Sequence, residues 1–160
     1  MQIQLHYDLN EDRLRFIVSE NDDNRAWWIT RRAAIMFAEA LATRLSASVE
    51  PGMVGAAKEW ALSLRQEEAV QNNPITNTEA LPTDRSHLLN SIRHGRDEEG
   101  RHVMILVALD GEEQGFTFDD DSLFAVMELF RRQLSLTGWG LEMNWPKIET
   151  KIDKVALMIQ

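Results

Sequence analysis

A chain of 160 residues, 44% hydrophobic and 27% charged, has the proportions of one folded domain with a core of its own. The absence of cysteine excludes thiol catalysis, disulfide staples, cysteine-type zinc sites and iron–sulfur clusters, and accords with a reducing, cytoplasmic setting. A formal charge of −9 argues against a general nucleic-acid coat, because phosphate neutralisation needs clustered Lys and Arg. The N-terminus shows no basic region followed by an apolar stretch, and the longest apolar run, 103–109, falls far short of the roughly 20 residues of a membrane span.

Alternation predicts strands over 2–8 and 13–20, the second with Leu14, Phe16 and Val18 on one face and Arg13, Arg15 and Ser19 on the other. After the polar turn 21–24, the stretch 25–29 reads as a third strand, since aromatic and β-branched residues suit a pleated, half-buried surface. The period then changes. Thr30 is an N-cap candidate, and Ala34, Phe37, Ala38, Leu41 and Leu45 at helical spacing predict a helix over 30–46. Pro51-Gly52 interrupts it, and a second helix follows over 52–70, with Met53, Ala57, Trp60, Ala61 and Leu64 as its apolar stripe. The polar, proline-containing stretch 71–86 has no such stripe and is expected to be a mobile connector. Strands over 87–96, 101–109 and 114–118 and a helix over 119–136 complete the body. Residues 103–109, apolar on both faces, are expected in the most central strand.

Sliding the chain on itself by 89 residues sets Leu14 on Val103, Phe16 on Ile105, Val18 on Val107 and Thr30 on Asp119. In the helices Ile35 then meets Phe124, Phe37 meets Val126, Glu39 meets Glu128, Leu41 meets Phe130 and Leu45 meets Leu134. The expected fold is therefore α+β: two pseudo-repeated units of antiparallel strands plus a helix, sharing one core, with an inserted helix between them. Within a single domain the units are 1–46 and 87–138, the insertion is 47–86 and a tail runs over 139–160. A duplicated strand-rich unit closed by a helix resembles, in architecture, the repeats of the PUR and Whirly families, which carry four strands each where three are read here. That resemblance implies a sheet face that binds single-stranded nucleic acid.

Local chemistry points to contact rather than catalysis. Arg31 and Arg32 follow the Thr30 cap, where the helix macrodipole disfavours positive charge unless an anion is near. At the aligned positions stand Asp120 and Asp121, which such a helix start prefers, so the two starts are candidates to pair within the chain or across a dimer. Trp27 and Trp28 must face opposite sides of their strand, one inward and the other outward beside Arg25, under the cover of the helix over 52–70 or open to a partner. In the tail, Trp139, Leu141, Met143 and Trp145 alternate with polar residues up to Pro146, a strand edge suited to pairing with another copy. Beyond it Ile148, Ile152, Val155 and Ile159 recur at helical spacing.

No metal site is expected: Asp8-Leu9-Asn10-Glu11-Asp12 begins like a calcium loop, but Arg13 takes the glycine position, and His94 and His102 lack a third ligand. Phosphate-loop, dinucleotide-binding, nucleophile-elbow and metalloprotease motifs are all missing, so no cofactor and no catalytic residue is assigned. The reading is a non-catalytic interaction or assembly module, expected as a homodimer or bound to another protein, without membrane association. A single-stranded nucleic-acid binder using Trp and Arg on one sheet face is the alternative.

Overall fold

The computed structural model describes residues 1–49, 51–75, 79–83 and 85–141. In chain order the elements are β1 (Gln2–Asp8), β2 (Arg13–Glu20), β3 (Asp23–Ile29), α1 (Arg31–Ser46), α2 (Gly55–Asn72), β4 (Arg85–Arg96), β5 (His102–Ala108), β6 (Glu113–Phe118) and α3 (Asp120–Leu136). The strands form one mixed six-stranded sheet in sequence order. Every neighbouring pair is antiparallel except β3 and β4, which run parallel and are joined by the long crossover through α1 and α2. The fold is α+β, and among the described residues no helix is long and apolar enough to cross a membrane.

Core residues come from alternate strand positions and from the helical stripes. Leu5, Phe16 and Trp27 lie side by side across β1, β2 and β3, all nearly fully buried. They join Ala34, Phe37 and Leu41 of α1 and Leu123, Phe124, Met127 and Phe130 of α3 in one apolar cluster. Both sheet-packing helices begin in the same way: Thr30 accepts a bond from the Ala33 amide and Asp119 from the Ser122 amide, each satisfying a donor at a helix start. The two sides of the sheet differ. The core side is covered by α1 and α3, whereas on the outer side, among the described residues, the segment 79–83 is fixed by polar bonds. Gln4 accepts from the Leu81 amide at 2.9 Å and donates to the Glu79 carbonyl, Arg15 donates to Thr83 at 2.6 Å and Asn24 donates to the Pro82 carbonyl. This corrects the expectation of a mobile connector over 71–86 for its described residues: what holds 79–83 is hydrogen bonding to side chains far away in sequence, which no apolar stripe announces.

Two other expectations also need correction. β5 is second from the β6 edge, and β3 and β4 are central. Its apolar residues divide between the faces, with Met104, Leu106 and Ala108 buried against the helices and Val103, Ile105 and Val107 half-buried on the outer side. The 89-residue offset, which set Leu14, Phe16 and Val18 on Val103, Ile105 and Val107, therefore pairs core positions with outer ones in these strands. The turns explain the slip. The β2–β3 ladder closes at Glu20 and Asp23 around Asn21 and Asp22, whereas β5 and β6 close with Ala108 donating to Glu112 around residues 109, 110 and 111. One extra loop residue turns a strand over, because side chains alternate with a period of two. In the helices the offset puts Ile35, 42% exposed, on the fully buried Phe124, although Leu41 and Phe130 are buried alike.

Candidate functional site

The outer side of β4, β5 and β6 presents an apolar surface with an unusual shape. Val103 and Ile105 stand on it between strand glycines: Gly95 is opposite Val103 on one side, and Gly115 is opposite Ile105 on the other. Neither glycine needs its conformational freedom there, since neither has a positive φ. A Cβ at Gly95 would meet nothing within 4 Å, and one at Gly115 would meet only the Ile105 side chain, at 3.8 Å. Glycine in a strand interior with room for a side chain marks a place where another backbone can approach closely. Arg93 of β4 donates to Glu113 of β6 at 2.6 Å, spanning β5 beside Ile105 and Val107. The Trp28 and Leu88 pair continues this surface across β3 and β4.

Trp27 and Trp28 do face opposite sides. Trp27 is 1% exposed and donates to Gln114 at 2.6 Å, with its ring centroid 5.2 Å from that of His87. Trp28 is half-buried on the outer side, with the Arg15 guanidinium 5.7 Å from its ring centroid. The helix expected to cover it packs elsewhere: α2 buries Leu62, Gln66 and Ala69 while Trp60, off that stripe, is 61% exposed. α2 lies against α3 instead. Arg25 pairs locally with Asp23 at 2.8 Å.

The helix starts expected to pair do not meet within the chain. Arg31 and Arg32 are exposed, while Asp120 holds His102 at 2.6 Å and Asp121 accepts from Asn72 at 3.0 Å. Arg31 instead lies close enough to Asp12 to contribute to its lowered pKa, after the larger effects of hydrogen bonds from Tyr7 and Trp139. Trp139 is 8% exposed, donates to Asp12 at 2.8 Å and sits edge-on to Tyr7, and Leu141 packs on the core. Met143 and Trp145 lie outside the described residues. Near Trp139 opens a groove of about 880 Å³ between β1 and α3, lined by Ile3, Leu5, Phe118, Val126, Leu129 and Leu136 among others.

A buried polar cluster went unnoticed in the sequence. Glu128, 1% exposed, accepts from Gln66 of α2 at 2.8 Å, from Arg131 at 2.9 Å through both oxygens and from Arg132 at 2.8 Å. Burial alone would push its carboxyl up, but the two guanidinium groups outweigh that and hold its pKa below the ordinary value. The signal was available: Glu128 follows Phe124 by one helical turn, inside the apolar stripe, with arginines three and four residues on. The arrangement locks α2 to α3 and offers no open acid–base pair. Among the described residues no group of three or more His, Cys, Asp or Glu is placed to hold a metal ion. No family model, curated protein or solved structure matches this chain.

Proposed function

We propose that the protein is a non-catalytic assembly module that joins a second copy of itself through the outer side of β4, β5 and β6. The observation that carries this reading is the apolar surface of Val103, Ile105 and Val107 flanked by Gly95 and Gly115, where a partner's backbone can come close without meeting a side chain. A second copy is the favoured partner because the Arg93–Glu113 pair beside the apolar residues presents both signs of charge, so the same patch can face itself about a two-fold axis. A single-stranded nucleic-acid ligand is supported less well. On this side Arg15 is bonded to Thr83 and Arg93 to Glu113, and the chain carries −9 overall. The further reading of the chain as an internal duplication, with α2 inserted between two units and the whole working in a reducing, cytoplasmic setting, accords with the matching helix caps and the cysteine-free composition.

Threonine at Gly95 and Gly115 distinguishes a working surface from a merely tolerated one. Both positions accept a Cβ, so Gly95→Thr with Gly115→Thr is expected to leave folding stability unchanged or raise it by about 0.5–1 kcal/mol per site. The same pair of substitutions is expected to abolish self-association in analytical ultracentrifugation, because the new side chains stand where the partner's backbone must lie. Unchanged association in a well-folded double variant contradicts the reading.

A further inference from the structure

Three basic side chains gather where the end of β4 meets the end of α1. His94 and Arg96 lie opposite Met104 and His102 of β5, and directly opposite residues share a face, so both stand on the helix-covered side of the sheet. Arg96 donates to the carbonyl of Ala47, the C-cap of α1, at 3.4 Å and to the Gly100 carbonyl of its own hairpin at 2.9 Å. Arg44 stands in the last turn of α1, three residues before that cap. It is close enough to His94 that its charge adds to burial in holding the imidazole pKa below the ordinary value. His94 and Arg96 are exposed and Arg44 is half-buried.

The acids nearest to this cluster are engaged elsewhere. Arg101 takes Asp97 at 2.8 Å and Glu99 at 3.2 Å, and His102, the next core-side residue of β5 beyond Met104, takes Asp120 at 2.6 Å. Among the described residues no carboxylate pairs with Arg44, His94 or Arg96, and the Nε of Arg44 is shielded from solvent with no acceptor. The end of a helix carries only about half a negative elementary charge, enough to account for one base in its last turn. It does not balance two guanidinium groups and an imidazole that already oppose one another, in a chain whose net charge of −9 offers acids in surplus. We propose that Arg44, His94 and Arg96 form a binding site for a tetrahedral oxyanion, a phosphate ion or the phosphate group of a small phosphate monoester. The chemistry of the three suits that ligand. Two backbone carbonyls orient Arg96 and use two of its five N–H donors, the planar fork of Arg44 matches a pair of phosphate oxygens, and a protonated His94 supplies a further donor. An anion between them turns their mutual repulsion into attraction. The site lies on the helix side of the sheet and does not rest on the self-association proposed for the outer side.

Titration of the full-length chain with inorganic phosphate, at constant ionic strength and followed by NMR of the His94 imidazole, tests it. The His94 resonances are expected to shift saturably, and the His94 pKa to rise, because the bound anion favours the charged ring. Arg44→Gln and Arg96→Gln are each expected to weaken binding by about tenfold or more, the loss that follows from removing one charge-assisted contact. Arg85→Gln, at the other end of β4, is expected to bind phosphate as the wild type does. Glycerol phosphate distinguishes the two sources of the group: tighter binding than inorganic phosphate assigns the site to a phosphate monoester, and equal binding to the free ion. A wild-type response that does not saturate overturns the proposal and leaves the three bases as a cap on α1. Equal affinity in the wild type and in folded Arg44→Gln and Arg96→Gln overturns it as well.

Discussion

Truncating Phe130 to alanine is expected to cost about 3–5 kcal/mol of unfolding free energy, the range for removing a large aromatic from a closed core. Phe130 is fully buried on α3 and stacks on Phe37 of α1, with ring centroids 4.9 Å apart and planes at 11°. Phe37 in turn lies 5.5 Å from Phe16 of β2, so the cavity would open where both helices meet the sheet. Phe130 and these two neighbours belong to three separate elements, which cannot all collapse inward together, and this places the cost toward the upper end. For a domain of this size the loss corresponds to a fall in Tm of roughly 6–20 °C. Thermal unfolding followed by circular dichroism measures it, and a fall of under about 3 °C would mean that the α1–α3 contact bears little of the stability.

Glu128→Gln is expected to be the most damaging polar substitution in the protein, at about 2–3 kcal/mol near neutral pH. The amide keeps the shape of the side chain but brings two donors toward arginines that can only donate, and it removes the charge that compensates them. Arg131 and Arg132 are 23% and 46% exposed, so water recovers part of what they lose and the cost stays below that of a fully buried pair. The sign of the pH dependence follows from the lowered carboxyl pKa. A carboxylate held below its ordinary value of 4.5 contributes its full stability above that value, and the contribution disappears as pH falls through the lower folded value. Wild type and Glu128→Gln should therefore differ most at neutral pH and converge in Tm as pH drops below 4.5. A constant difference across that range would show that the carboxylate's charge is not what stabilises the cluster.

Much of the framework was legible because it is written locally. Leu14, Phe16 and Val18 alternate cleanly, and the structure buries all three. Thr30 and Asp119 announce their helices and cap them. β5 was harder to read, since a strand apolar on both faces carries no mark of which face is inward, and the orientation was decided by one additional turn residue between it and β6. A bulge near Asn90 hides the period of β4 in the same way, by changing phase between Leu89 and Ser91. The segment 79–83 was misread because its anchors, Gln4, Arg15 and Asn24, are distant in sequence and polar. At the candidate surface, the 89-residue offset set Val103, Ile105 and Val107 on the core positions Leu14, Phe16 and Val18, and the flanking glycines acquired meaning only when the strand register brought them alongside. Trp28 was placed correctly as one of two opposed tryptophans, whereas its cover proved to be the Arg15 side chain rather than a helix.

The most direct measurement is the molar mass of the wild-type protein by light scattering, taken from low to molar salt with and without a single-stranded oligonucleotide. Apolar contact across Val103, Ile105 and Val107 predicts a dimer that persists as salt rises, because burial of such surface does not depend on screened charge. It also predicts no change in tryptophan fluorescence on adding the oligonucleotide. A monomer at every salt concentration whose fluorescence is quenched by the oligonucleotide and recovers as salt is added would contradict the account, since release of counterions from phosphate is the mark of nucleic-acid binding.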